Sequence, residues 1–565
     1  MRHYRAVTIA ILCLLGILIY SNTFQSSFHL DDRDSVFQNP TIVSLKNMGA
    51  IWATWPTRFL TYLSVAANYH FGRLNFTGYH IFNIIIHLGA GLCAWWLTLL
   101  TLSSPAIKND GIKDRSPLIA FFVGLIFVAH PIQTQAVTYI IQRATSMAAL
   151  FYLASLCLYA KARLSGKNTA CYIGSLAAGV CAMFTKEMTI TLPFMILLYE
   201  YTFMKEEGKK IDWKYLAPFL ALIAVIPLTM IFTRSVSFKE MRLVSEPLPI
   251  YSPWQYLFTQ FRVLITYMRL LFIPLGQNID HDYPVADGFF EVPVLASLSA
   301  ISIMIIASLY LFKRYRLVSF SIFWFFIALL PESSFIPIRD VTFEHRIYLA
   351  TFGYALFLVT TLYYLFGQKN IRLMARILIV LTILYAALTY ARNFVWKDEI
   401  SLWNDAIKKS PNKSRPYDER GNAYTVKGDT DRGIEDYDKA IELNPYYSSS
   451  YNNRGVAYAV KGDLDRAIHD FTKAIEINPR FTNALSNRGN AYMAKGDTDR
   501  AIADFTATVV SNPYYAKAYN DRAIAYFLKK EYGKAWDDVR RLEALGGRPH
   551  PQFIEDLKKA SGKER

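Results

Sequence analysis

Residues 451–479 read YNNRGVAYAVKGDLDRAIHDFTKAIEINP, and the fold of the C-terminal third follows from this stretch. Tyr451, Gly455 and Tyr458 lie three and four residues apart, so they share one helical face. Ala467, Phe471 and Ala474 repeat that spacing after the break Lys461-Gly462-Asp463, and Pro479 closes the unit. Small residues at the Gly and Ala positions let two helices approach closely while aromatic rings fill the seam. The same punctuation recurs. Pro411, Pro445, Pro479 and Pro513 stand 34 residues apart.

A helix pair repeated every 34 residues is the tetratricopeptide (TPR) pattern. Tyr417, Gly421, Tyr424, Tyr437 and Pro445 mark one further unit, and Gly489, Tyr492, Ala501, Phe505 and Pro513 mark another. Tyr519, Ala523, Tyr526 and Ala535 form a degenerate last unit, as expected of a terminal repeat. Trp403, Ala406 and Pro411 fit the second helix of an incomplete leading unit. Such an array presents a concave surface to peptides or proteins and carries no chemistry itself. The alternative use of the same surface is self-assembly.

Towards the N-terminus the composition changes. The chain has 565 residues, 53% hydrophobic and 19% charged, but the apolar residues are concentrated before about residue 391. Apolar segments near 6–24, 79–101, 118–131, 146–160, 169–185, 188–204, 215–233, 292–312, 316–331, 347–366 and 374–391 predict about eleven transmembrane helices. Residues 256–275 carry Arg262 and Arg269 among aromatics and read as a spanning or an interfacial segment. The expected architecture is all-α: a polytopic membrane domain over 1–396, followed by a TPR α-solenoid over 397–565. Met1–Arg5 and the apolar run after them resemble a signal peptide without a cleavage motif, which predicts an uncleaved first helix. The five cysteines all lie in or beside apolar segments, with neither disulfide nor metal-ligand spacing.

The net charge of +16 has a topological reading rather than a nucleic-acid one. Arg2 and Arg5, then Lys108, Lys113 and Arg115, then Lys161, Arg163 and Lys167, occupy alternate loops. Lys205, Lys209 and Lys210, then Lys313, Arg314 and Arg316, then Lys369 and Arg372, continue the series. Positive loops face the cytoplasm, which places the opposite loops and the repeats outside, provided 256–275 does not span.

The polar clusters lie in those outer loops. The first contains His29-Leu30-Asp31-Asp32-Arg33-Asp34. Acidic groups beside a bilayer are costly, and a carboxylate can take the proton of an attacking hydroxyl in glycosyl transfer. His80, Asn83 and His87 share a face of one membrane helix, pointing to a polar ligand or to a neighbouring helix. His130 to Gln135 with Arg143, the pair Lys186-Glu187, Arg234, Arg242 and Asp280 to Asp282, and Glu344-His345-Arg346 follow in later outer loops. Arginines there suit a lipid-linked phosphate or ordinary headgroups.

Taken in order, these motifs resemble the transmembrane-and-TPR O-mannosyltransferase (TMTC) family and its bacterial relatives, in the C-type glycosyltransferase superfamily. The resemblance rests on Asp31-Asp32 with Asn39-Pro40, His80-Ile81-Phe82-Asn83 with His87, and His130 to Val137. It continues through Lys186-Glu187, Glu344 to Leu349, Arg392-Asn393, Trp396 and Trp403. It implies a polyprenyl-phosphate sugar donor, a mannose carrier, with a protein Ser or Thr hydroxyl as acceptor and an inverted product. It also implies a catalytic base at Asp31 or Asp32; Lys186, Arg234 and Arg346 are assigned to the donor phosphate by charge. His80, Asn83, His130, Glu187 and Glu344 are expected to contact substrate. No cofactor and no metal ligands are assigned, and a divalent metal is compatible with the chemistry. Gln135 stands where the family carries an acidic residue, and Ala144-Thr145 follow Arg143 where another acidic residue is usual. Two alternatives remain: transfer to a lipid or polysaccharide, and a non-enzymatic membrane scaffold. The implied location is a bacterial inner membrane with periplasmic repeats, or the endoplasmic reticulum membrane with lumenal repeats in a eukaryote.

The charge pattern makes a topological prediction. A cysteine introduced beside Asp31 and a reporter fused after residue 565 should both report the non-cytoplasmic side. A cytoplasmic signal from either would reverse the orientation.

Overall fold

The structure is a computed structural model that describes residues 2–562 except 38, 108–110, 167, 206–209, 234–250 and 339. Every regular element among the described residues is a helix. They form two compact units, one ending at Asp405 and the other beginning at Ala406.

In the first unit all eleven apolar segments are helical among the described residues, and they differ in length. Among the described residues seven helices are long and apolar enough to cross a membrane: His3–Thr23, Phe76–Leu102, Ile140–Leu164, Trp213–Phe232, Val292–Leu311, Ala350–Gly367 and Ile371–Trp396. The pair Ser116–Ala129 and Pro131–Thr138, bent by 47°, makes an eighth if counted as one. Pro131 follows the last turn of Ser116–Ala129 and ends it, as a missing N–H and a ring clash require. Thr169–Met183 and Arg316–Leu329 are shorter. The segment 188–204 divides into a 3₁₀ turn, the helix Leu192–Tyr199 and a π turn. Apolar runs register hydrophobicity without the breaks inside it.

Residues 256–275 fall in the helix Pro253–Phe272, which Ser252 and Gln255 start with a reciprocal capping box. Tyr256, Gln260, Val263, Tyr267 and Leu270 recur at helical spacing and are buried, whereas Trp254 and Phe272 are exposed. This helix is not among the candidate spans. Its hydroxyls and amide hold the chain at 332–343: Tyr256 bonds the Glu332 carbonyl, Gln260 the Val341 carbonyl and Tyr267 the Phe343 carbonyl.

The helix Arg143–Leu164 separates two sets of polar contacts. Arg163 grips Glu200 at 2.7 and 3.0 Å near its last turn, while Arg143 opens its first. The twenty residues between them rise about 30 Å, the thickness of a hydrocarbon layer. Polar groups therefore collect at two ends of an apolar bundle.

The second unit is the TPR array. First and second helices pair as Ser414–Val426 with Thr430–Leu443, Ser448–Val460 with Leu464–Ile477, Thr482–Ala494 with Thr498–Ser511, and Ala516–Leu528 with Tyr532–Ala544. A Cβ on Gly455 would lie 2.7 Å from the Phe471 ring, which is why the seam position is glycine. Each pair is locked by a forked arginine–carboxylate contact sixteen residues apart: Arg420–Asp436, Arg454–Asp470, Arg488–Asp504 and Arg522–Asp538. The helix Glu399–Lys409 is the expected leading half-unit. The break between the two compact units falls inside it, after Asp405. Arg392 binds Asp405 and Arg33 binds Glu399, which ties 397–405 to the first unit.

The first helices end on Gly428, Gly462 and Gly496, all at positive φ between 80° and 88°. Thirty-four residues on, Lys530 occupies the same conformation at φ 62°. A side chain there costs about 1 kcal/mol that glycine avoids. Lys530→Gly should therefore raise the unfolding free energy of the array by about 1 kcal/mol, seen as a higher midpoint in chemical denaturation. An unchanged or lowered midpoint would refute that account of the fourth repeat.

Candidate functional site

The two neighbouring carboxylates of the loop after the first helix, Asp31 and Asp32, have different surroundings. Asp32 is fully buried. Its Oδ2 accepts the His29 N–H at 3.0 Å and its Oδ1 the Ile141 N–H at 2.7 Å, joining segments 109 residues apart. Burial pushes its pKa up to about 7, helped by Asp31 and opposed by the two backbone bonds and by Arg143. Asp31 is exposed. Its own N–H donates to the Tyr139 hydroxyl at 2.8 Å, and the Tyr139 ring stacks on Trp396. Leu30, just before the pair, is held at φ 46°, a left-handed strain of the kind that persists only where neighbours enforce it. His29 helps enforce it by donating to the Trp396 carbonyl at 2.8 Å.

Beside this loop lies a charged cluster. The Lys186 ammonium is within 2.6 Å of the Thr145 hydroxyl and 3.8 Å of Glu332. Burial lowers its pKa to about 8. Glu187 does not pair with Lys186 as adjacent charges invite. It is gripped by Arg58 at 3.0, 3.1 and 3.2 Å and by the Thr57 hydroxyl. Burial raises its pKa, but Arg58 outweighs that and holds it at about 2. Arg346 is buried, stacks over Phe343 and donates to the carbonyls of Val341 and Asp340. Burial, with Lys186, Arg346 and Arg58 nearby, keeps His345 neutral. Tyr62 connects cluster and loop: its hydroxyl lies 3.3 Å from Ser35 and within the fields of Arg58, Asp31 and Glu187. Three cations, Arg58, Lys186 and Arg346, thus meet two carboxylates, Glu187 and Glu332.

The structure brings Asp31, Asp32, Lys186, Glu187 and Arg346 together. Arg234 lies outside the described residues. His80, Asn83 and His130, expected to contact substrate, are buried. His80 bonds the Ser26 carbonyl, Asn83 those of Val137 and Ile140, and His130 that of Leu271. They anchor the backbone of these segments. Glu344 is similarly occupied by the Asn278 N–H, the Gln277 amide and His281, so it shapes the 277–281 turn. Gln135, where an acidic residue was expected, accepts the His345 N–H at 2.7 Å.

Arg58, Tyr62, Tyr139 and Glu332 escaped the sequence reading. Arg58 and Tyr62 flank the start of the helix Phe59–Gly72, inside a stretch read as loop. Arg143, read as a loop residue, is fully buried and donates to Asn68 at 2.5 Å beneath Asp32. Among the described residues no group of three or more His, Cys, Asp or Glu could hold a metal ion.

Comparison with known proteins agrees with both halves of this architecture. Models described as "Tetratricopeptide repeat" match residues 448–481 and 486–549, and one described as "TPR repeat" matches 421–462. The Protein O-mannosyl-transferase TMTC2 of Mus musculus is 29% identical over 215 residues, 35% of this chain and 24% of its own length. The Protein O-mannosyl-transferase Tmtc3 of Drosophila melanogaster is 22% identical over 502 residues, 74% of this chain and 53% of its own. The chain therefore spans from about a quarter to about half of these relatives. The crystal structure of MamA is similar over 26% of this chain and 86% of its own, at 23% identity and a TM-score of 0.25. The resemblance seen in the motifs is thus matched by relatives named as O-mannosyl-transferases.

The contacts of Asp32 set a stability prediction. In Asp32→Asn an amide nitrogen must face one of two backbone N–H groups, which costs about 1–3 kcal/mol. The folded pKa of Asp32 lies above the ordinary carboxyl value, so protonation favours the folded state between about pH 4 and 7. The wild type's thermal margin over Asp32→Asn should widen as pH falls from 8 to 5. A margin that narrows would contradict the burial account.

Proposed function

We propose that the chain is an integral-membrane glycosyltransferase that moves mannose from a polyprenyl-phosphate carrier to Ser or Thr hydroxyls of protein acceptors. Transfer takes place on the non-cytoplasmic face, and the TPR array captures the acceptor. The observation that carries this reading is the division of labour between Asp31 and Asp32 beside a cluster with excess positive charge.

A base must reach its proton. Asp32 is fully buried with both oxygens engaged, so it is the positioning residue; Asp31 is exposed and fixed in place by Tyr139 and by the Asp32 clamp. In the proposed step the acceptor oxygen attacks the anomeric carbon as Asp31 takes its proton. The bond between that carbon and the phosphate oxygen breaks, its electron pair leaves with the polyprenyl phosphate, and configuration inverts. Lys186, Arg58 and Arg346 supply the charge for the leaving phosphate, and Glu187 and Glu332 hold Arg58 and Lys186 in position. Arg234 is a further cation proposed for the donor. The TMTC relatives, named as protein O-mannosyl-transferases, support mannose as the sugar and protein as the acceptor.

The test is an in vitro assay with defined polyprenyl-phosphate sugars and a Ser/Thr peptide. Asp31→Asn should lower transfer by roughly 100-fold or more while donor binding and thermal stability stay unchanged. Transfer near the wild-type rate, or none from any polyprenyl-phosphate sugar by the wild type, would end this proposal.

A further inference from the structure

Several buried side-chain atoms around the charged cluster meet no hydrogen-bond partner among the described residues: Gln135 Nε2, Gln260 Oε1, Glu332 Oε2, Ser333 Oγ and His345 Nδ1. They share one neighbourhood. Gln135 is bonded to His345, and Lys186 acts on His345 while standing 3.8 Å from Glu332. The helix that carries Gln260 holds the Glu332 carbonyl through Tyr256, one turn earlier. Buried polar groups are nearly always paired, because an unpaired one keeps its desolvation cost. A group of unpaired donors and acceptors beside a cation cluster fits a ligand that carries hydroxyls next to a negative charge.

Two of these side chains are oriented by contacts of their own. The Gln135 Oε1 accepts the His345 N–H at 2.7 Å, so its amide nitrogen points away with its N–H groups unused. The His345 ring stacks on Phe343 with centroids 5.1 Å apart, and its neutral imidazole offers Nδ1 as a donor or an acceptor. Terminal amide and imidazole torsions are broad, so small rotations aim both groups at an entering ligand. The cations acting on His345 are Lys186, Arg346 and Arg58, the three assigned above to the donor phosphate.

In a sugar joined to phosphate through its anomeric oxygen, the 2-hydroxyl sits on the carbon next to that linkage. A phosphate held by these cations therefore brings the 2-hydroxyl close to the residues beside them. We propose that Gln135 and His345 bind the 2-hydroxyl of the donor sugar and thereby select mannose against glucose, its C2 epimer. The Gln135 amide donates to the hydroxyl oxygen, and the hydroxyl proton goes to His345 Nδ1. A site built to pair a hydroxyl rejects an analogue that lacks it, because its own buried groups then stay unpaired. Contacts to the 2-hydroxyl also strengthen as charge develops at the anomeric carbon. This assignment rests on the transferase reading for its donor.

The experiment uses the full-length protein in detergent micelles and three polyprenyl-phosphate donors, carrying mannose, 2-deoxymannose or glucose. With no acceptor present, the wild type should bind the mannose donor at least about tenfold more tightly than either of the others. His345→Phe keeps a ring on Phe343 and removes Nδ1; Gln135→Leu removes the amide. With a Ser/Thr peptide as acceptor, each variant should lower kcat/KM for the mannose donor about tenfold and shrink the mannose-to-2-deoxymannose ratio by a similar factor. A merely structural loss lowers both donors alike and leaves that ratio unchanged. Equal binding of the three donors by the wild type, no binding of any, or an unchanged ratio in both variants would each overturn the inference. The binding arm uses wild-type protein, so it decides the matter even if the variants fail to fold. Transfer that ignores the 2-hydroxyl refutes only this sugar contact. Discrimination in binding with no transfer refutes only the chemistry.

Discussion

The geometry of the first unit turns on one carboxylate. Asp32 is fully buried and receives a backbone N–H from its own loop and another from Ile141. Without it the loop would have no reason to hold Leu30 at positive φ, and Asp31 would not meet the Tyr139 hydroxyl. A chain entering water from a bilayer has few apolar contacts to define its path. A buried charge satisfied only by specific N–H groups defines that path sharply, because any other arrangement leaves it unpaired.

The repeats were legible residue by residue, since a TPR helix contacts its immediate neighbours and its seam positions recur locally. The membrane segments were legible as helices and not as spans, because Pro131 and the π turn at Glu200–Met204 interrupt runs whose hydropathy continues through them. The acidic pair was legible as a pair. What distinguishes Asp31 from Asp32 is Ile141, which sequence separation hides. Lys186 and Glu187 invite each other by adjacency, but an extended backbone at Lys186 points consecutive side chains apart, towards Glu332 and Arg58. Neither of those partners carries a motif of its own.

His80, Asn83 and His87 share one helix face, and the structure shows what that face bonds. In an apolar bundle the carbonyls of irregular segments have no solvent, so each needs a donor from a helix. These side chains supply it: Ser26, Val137, Ile140 and Val128 all give their carbonyls to this one face. Thr389 and His130 do the same for Ala129 and Leu271. Polar residues on these helices fix the connecting loops, and the loops in turn hold Asp31, Asp32 and Lys186.

The forked arginine–carboxylate contacts of the array have a consequence for how such a domain changes in length. Arg454 and Asp470 belong to the same helix pair, as do Arg420 and Asp436, Arg488 and Asp504, and Arg522 and Asp538. Each unit therefore carries both halves of its own fastening. Duplicating a unit copies a complete fastening, and deleting one removes both of its halves together. Lys461–Asp431, Lys495–Asp465 and Lys529–Asp499 join adjacent units instead, but at exposed positions where an unpaired partner is readily hydrated. Internal gain or loss of 34 residues is thus electrostatically cheap, leaving the reach of the array free to vary while its helix pairs stay the same.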